Sequence, residues 1–183
     1  MPELPEVETT KNAILPFQGK TLKRIIVNNP SLRWPIDEKA INKIKERKIL
    51  SITRRAKYIF LHLDEMTIII HLGMTGTFRI QKLGSNETRK HDHVVFEFDK
   101  EILIFNDPRR FGFFEIIKSS SLLKKRFNKF GPEPFQTKFN LKYIICFPNQ
   151  ANTKLRNTTR REGTKFRGLR LGPRSKKGKI LML

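Results

Sequence analysis

Apolar and polar positions change their period several times along this chain of 183 residues. Near the start, Val7, Ile14 and Leu15 fall on one stripe at helical spacing. Pro5 suits a first helical turn, and Glu6 and Glu8 favour the positive end of a helix dipole, so a helix is predicted from about Pro5 onward. TLKRIIVNN (21–29) alternates around Ile25 and Val27 and predicts a strand. DEKAINKIKERK (37–48) predicts a short helix, with Asp37 near its start and Ile41 and Ile44 three apart. β signal then dominates. KILSITRR, KYIFLHL, MTIIIHL, TFRIQKL, HVVFEFD, EILIFND and FGFFEII are short β-branched and aromatic runs, separated by Asp-Glu, Gly-Met, Gly-Ser-Asn and Asp-Lys turns. The expected fold is α+β, mainly β: a two-sheet antiparallel β-sandwich flanked by helices. SLLKKRFNKF (121–130) predicts a helix that stops at Gly131-Pro132-Glu133-Pro134, and FQTKFNLKYIICF restarts an apolar pattern.

The pattern fails at about Pro148. From there to Leu183 the chain holds 11 Lys and Arg against one acid, Glu162, with no helical or strand period. An irregular, basic C-terminal tail over 148–183 is expected, ordered only against a partner. The domains read as 1–134 for the sandwich, 135–147 for a short helical start, and 148–183 for the tail.

Charge then changes the picture. The chain carries 38 Lys+Arg against 17 Asp+Glu, a formal net charge of +21. Such an excess bears on partners rather than on fold: nucleic acid first, an anionic membrane surface second. No apolar run approaches the roughly 18–20 residues of a membrane span, and the N-terminus lacks the basic-then-apolar order of a signal peptide. The single cysteine, Cys146, excludes an internal disulfide and any multi-cysteine zinc site. The expectation is a soluble, cytoplasmic protein that meets a polyanion and no membrane.

Five stretches hold candidate chemistry. Removal of Met1 from MPELPEVETT would expose the secondary amine of Pro2. An α-amine titrates near pH ~7.7–8.0, against ~10.4 for a lysine, so it is a nucleophile with little tuning. Attack on an aldehyde carbon yields an iminium, an electron sink for β-elimination, and Glu3 beside it can move protons. In RRAKYIF (54–60), strand alternation would place Lys57 and Tyr58 on opposite faces; a solvated strand end is the plain alternative. HLGMTG (71–76) exposes Met74 in a glycine-flanked loop, as a core gap-filler or as a wedge between bases. NDPRRFG (106–112) joins a turn, two arginines and Phe111, which suits phosphate contact and base stacking as well as an ordinary hairpin. KHDHV (90–94) offers His91 and His93 with Asp92. No third ligand stands nearby for a metal, and a phosphate contact by His91 is the stronger reading.

The order and spacing of MPELPEVET, RRAKYIFLHL, HLGMTG, HDHV, NDPRRFG and FGPEP resemble those of the formamidopyrimidine-DNA glycosylase family, from Met1 to about Tyr143. The resemblance implies a bifunctional base-excision repair enzyme. It would remove oxidised purines (formamidopyrimidine, 8-oxoguanine) from damaged double-stranded DNA and then act as an AP lyase. Residue by residue it implies that Pro2 is the Schiff-base nucleophile, Glu3 the acid/base and Lys57 the lysine near phosphate and lesion. Glu6 would help to build the catalytic pocket. Met74, Arg109 and Phe111 would fill the gap left by the flipped nucleotide, with Arg109 facing the orphaned cytosine, and His91 would contact a phosphate. It further implies a monomer of bacterial type, cytoplasmic and associated with the nucleoid.

The resemblance stops at QTKFNLKYI. In the family a helix–two-turns–helix domain and a four-cysteine zinc finger follow the sandwich. No LLDQ…GIGNIYA-like segment is found in this sequence, and one cysteine cannot build the finger. No metal and no cofactor are therefore expected. The acid-poor tail reads as a shifted reading frame or a decayed end, a hypothesis that the coding DNA tests. Three outcomes stay open at this point: a working glycosylase/AP lyase, a noncatalytic DNA-binding remnant, and an inactive product.

Overall fold

A computed structural model of the chain describes residues 2–85, 87–118, 120–128, 130–134 and 136–145. The tail expected over 148–183, and Cys146, lie outside the described residues. The chain divides into two compact units, Met1–Glu133 and Pro134–Leu183.

The first unit opens with α1 (Leu4–Ile14) and a 3-10 turn at Leu15–Phe17, followed by β1 (Thr21–Leu22) and β2 (Arg24–Val27). The α1 stripe is Val7 and Ile14, both buried, but Leu15 is 37% exposed, against the expectation. The switch to a 3-10 turn at Leu15 rotates Phe17 into the core in its place. A short α2 (Glu38–Ile41) follows, with the Asp37 carboxylate accepting from Ala40 N at 3.0 Å. The helix expected over 37–48 therefore stops early. Ile44 turns into the core, and Glu46 at φ 57 sends the chain into β3 (Arg47–Lys48), which pairs with β1.

The seven β-branched and aromatic runs all form strands: β4 (Ser51–Arg55), β5 (Tyr58–His62), β6 (Thr67–His71), β7 (Thr77–Lys82), β8 (Asp92–Glu97), β9 (Glu101–Asn106) and β10 (Phe113–Ile117). Together with β2 they build the two antiparallel four-stranded sheets of a sandwich, β10-β6-β5-β4 and β2-β8-β9-β7. Ile59, Leu61, Ile68, Ile70 and Phe114 from the first sheet and Val94, Phe96, Leu103 and Phe105 from the second belong to one core. Helix α1 contacts β4 and β5 of the first sheet and β7 of the second.

Two central strands are buried on both sides, which explains why KYIFLHL and MTIIIHL read as nearly continuous apolar runs. The positions facing away from the core, Phe60, Ile69 and Ile117, form a second cluster with Leu123 and Phe127 of α3 (Ser120–Phe127). A bulge interrupts β8, where Asp92 pairs with Asn106 and Val94 with Phe105, leaving His93 as the extra residue.

In the second unit, residues 141–145 are helical, and the Asn140 side chain accepts from Tyr143 N at 3.0 Å to cap that turn.

Phe105 is fully buried, with its ring 4.8 Å from Phe114 and 5.3 Å from Phe78. Phe105→Ala is expected to lower unfolding stability by about 3–5 kcal/mol, read from the urea midpoint at unchanged slope.

Candidate nucleic-acid interface

The N-terminal candidates meet at the β4–β5 hairpin. Lys57 does not lie in a strand with its neighbour Tyr58 on the opposite face, as alternation predicts. It sits in the two-residue turn Ala56–Lys57, between the paired residues Arg55 and Tyr58. Ala56 takes φ 49, a left-handed conformation that a non-glycine residue adopts only when its surroundings hold it there. From this turn Lys57 Nζ reaches Glu3 Oε2 at 2.5 Å. The hydrogen bond from Lys57 keeps the exposed Glu3 carboxyl below its ordinary range. Glu6 accepts from Glu3 N at 3.0 Å and so steadies the backbone directly beside Pro2, which is half-buried.

What holds the turn is a carboxylate the sequence reading passed over. Glu133, in the FGPEP stretch, is buried and accepts from Ala56 N at 2.8 Å, Arg54 Nη1 at 2.7 Å and Arg55 Nη1 at 3.1 Å. Arg54 also donates through Nε to Glu8 of α1 at 2.5 Å. Burial pushes the Glu133 carboxyl up, but the Ala56 N–H and the two arginines outweigh it and hold the group below the usual carboxylate range. The chain thus ties helix α1, the hairpin turn and the end of the unit together around the Glu3–Lys57 pair. The signal was available as an acid between two prolines after a basic helix.

At the end of β6 directly opposite Tyr58 stands His71, a second residue not singled out from sequence. Its ring stacks on Phe113 at 5.3 Å and 7° and lies 5.0 Å from Tyr58. Nδ1 accepts from Gly73 N at 3.0 Å, so the neutral ring carries its proton on Nε2. Burial, reinforced by the charges of Arg33 and Lys57, lowers its pKa and favours that neutral form.

The second group of candidates gathers at the same end of this sheet, in two loops. Met74 is half-buried in the loop between β6 and β7; Arg109 and the 42%-exposed Phe111 belong to the loop between β9 and β10. The Arg109 guanidinium lies 5.0 Å over the Phe111 ring. Gly73 has φ 66, and a Cβ there would fall 2.3 Å from the Phe111 carbonyl carbon, so the two loops touch through their backbones. Arg110 is held at φ 58 between the two exposed side chains.

His91 is half-buried and joins this end through its backbone, its carbonyl accepting from Asp107 N at 3.1 Å. The bulge breaks the alternation that would put His91 and His93 on one face. His93 is buried instead, with Nε2 donating to the Asp107 carbonyl at 2.8 Å. The Asp92 carboxylate is taken by Arg79 at 2.8 Å, Asn106 at 2.8 Å and Arg89 N at 2.8 Å. Among the described residues, no three His, Cys, Asp or Glu side chains are grouped to hold a metal ion.

Comparison with known proteins adds ancestry to this geometry. Residues 1–114 match the family model for the formamidopyrimidine-DNA glycosylase N-terminal domain. The formamidopyrimidine-DNA glycosylase of Edwardsiella ictaluri is 43% identical over 150 residues, covering 79% of this chain and 54% of that protein. The one from Photobacterium profundum is 45% identical over 146 residues, covering 79% and 53%. The chain therefore spans about half the length of the curated relatives it matches. Among solved structures, the complex between the Lactococcus lactis Fpg and an abasic site containing DNA superposes with a TM-score of 0.70 at 32% identity, over 77% of this chain and 54% of that one.

Because Glu133 is held below its ordinary pKa, its contribution to stability is present above the usual carboxylate pKa and is lost as pH falls through its lower folded value. Glu133→Gln leaves Arg54 and Arg55 without that charge and is expected to lower stability at pH 7 by about 3 kcal/mol. Its acid-denaturation limb below pH ~4.5 should be shallower than that of the unsubstituted chain in urea titrations stepped across pH.

Proposed function

The chain belongs to the formamidopyrimidine-DNA glycosylase family, and from that premise we propose that it acts on damaged duplex DNA in base-excision repair, through the end of the sandwich that carries Pro2, Lys57 and Met74. The observation that carries this reading is the gathering of two chemically different groups at one end of one sheet. A nucleophile with its acid and lysine stand on one side, and an apolar and cationic wedge stands on the other.

On this reading Met1 is removed, and the Pro2 nitrogen attacks the deoxyribose C1′ of an oxidised purine nucleotide, formamidopyrimidine or 8-oxoguanine, as the base departs. As the Pro2 nitrogen bonds to C1′ it passes its proton to the ionised Glu3, which hands it to the ring oxygen; the bond from C1′ to that oxygen breaks, the sugar opens, and an iminium joins Pro2 to C1′. Its positive charge accepts the electron pair released when C2′ loses a proton, and the 3′ phosphate leaves. Lys57 serves twice: it keeps Glu3 ionised in the free chain and meets the phosphate when DNA arrives. The neutral His71 offers its Nε2–H beside it. Unstacking a nucleotide costs a few kcal/mol, of the order that stacking by Met74 and Phe111 returns. Arg109 then faces the unpaired base, and His91 meets a phosphate. The protein works as a cytoplasmic monomer on the nucleoid.

The four-cysteine zinc site that the family implies does not fit this chain, whose one cysteine is Cys146 and whose described residues hold no metal-ligand group. No step above uses a metal. A second reading, a noncatalytic DNA-binding chain, draws on the net charge of +21.

Borohydride trapping separates the two. With duplex DNA carrying one abasic site, the processed chain should give a covalent adduct; Pro2→Gly, which keeps a primary α-amine, should trap less; a chain that retains Met1 should not trap. Salt-dependent DNA binding with no adduct would favour the second reading. For Lys57→Gln, the plot of log affinity against log salt should lose about 0.9 of its slope, one phosphate contact's worth.

A further inference from the structure

Every segment of the wedge converges on a side chain that the mechanism above does not use. Asp107 is completely buried. Its Oδ1 accepts from the Thr75 hydroxyl at 2.5 Å and its Oδ2 from Gly112 N at 2.7 Å. Its backbone N–H donates to the His91 carbonyl at 3.1 Å, and its own carbonyl accepts from His93 Nε2 at 2.8 Å and Arg110 N at 3.1 Å. A hydroxyl has one proton and two lone pairs. With its proton given to Asp107, Thr75 Oγ1 presents a lone pair outward, and Arg109 N donates to it at 3.2 Å.

We propose that Asp107 is a positioning residue which, through the Thr75 hydroxyl, locks the Met74 loop and the Arg109–Phe111 turn into one rigid wedge. The inference rests on the reading of these side chains as a DNA wedge. Neither loop belongs to a strand ladder, so neither has regular backbone pairing to fix it against the other. Asp107 supplies that pairing from below, one oxygen for each loop, and the Gly73–Phe111 backbone contact leaves no space for them to slide. A buried carboxylate is well suited to the task. Leaving either buried oxygen without a donor is disfavoured, so each loop is held to the same side chain. Preorganised this way, Met74, Arg109 and Phe111 enter a duplex as a unit instead of being ordered one by one at the moment of insertion.

The full chain tests this with two readouts. Thr75→Val removes the hydroxyl at nearly constant volume, and Thr75→Ser keeps it. The first readout is amide hydrogen exchange at Arg109 and Gly112 in the free protein. The second is the fluorescence rise of 2-aminopurine placed opposite an abasic-site analogue, which reports insertion of the wedge. Thr75→Val should speed exchange at Arg109 by about five- to tenfold, as expected for one lost hydrogen bond. It should cut the fluorescence rise several-fold while affinity for undamaged duplex, and its salt slope, hold. Thr75→Ser should restore both readouts. Asp107→Asn should extend the faster exchange to Gly112. Unchanged exchange at Arg109 overturns the clamp, and a fluorescence rise that Thr75→Val leaves intact overturns the positioning role. Loss of insertion only in step with a collapsed melting transition marks general unfolding and overturns it as well. No rise in the unsubstituted chain overturns the wedge reading beneath the proposal, and the exchange data then judge the clamp on its own.

Discussion

A carboxylate taken out of water must find donors inside the protein, because an unmet buried charge is far more costly than any single contact it could replace. That constraint shapes the end of the sandwich where the candidate residues gather. Glu133 meets it with one backbone N–H and two arginines, Asp92 with Arg79, Asn106 and the Arg89 N–H, and Asp107 with Thr75 and the Gly112 N–H. In each case at least one donor lies far from its acid in the chain: residues 54–56 for Glu133, Arg79 and Asn106 for Asp92, Thr75 for Asp107. Satisfying the acid therefore fixes loops that no β-ladder reaches.

This explains how a chain with more than twice as many basic as acidic residues uses its acids. Glu133, Asp92 and Asp107 are buried as anchors beneath the loops that carry the candidate residues. Lys57 is carried on a strained turn whose backbone is pinned by Glu133, and Arg109 on a turn whose backbone is pinned, through Thr75, by Asp107. The same logic holds at the helix start, where Glu6 takes the Glu3 N–H and leaves the Glu3 carboxylate to Lys57.

Much of the architecture was legible as pattern. The seven β-branched and aromatic runs form β4 to β10, and the continuous apolar character of KYIFLHL and MTIIIHL is explained by burial on both faces under α3. The misjudged positions share a cause. Leu15, the end of the 37–48 helix, Lys57 and His93 all sit where a local period gives way to a turn or a bulge. A period carries no information about where it breaks when the break is imposed by a distant partner.

The sequence by itself determined which chemistry the chain carries. Pro2 and Glu3 are adjacent because they are bonded neighbours, the glycine-flanked Met74 and the paired arginines are local motifs, and the charge is a sum. Only the tertiary structure decided what stands beside what. Glu133 lies 130 residues from Glu3, Asp107 lies 32 from Thr75, and His71 meets Tyr58 through strand register. These acids and rings have no local signature, because an anchor is defined by the donors it reaches, and those donors arrive only when the sheets have paired and the core has closed.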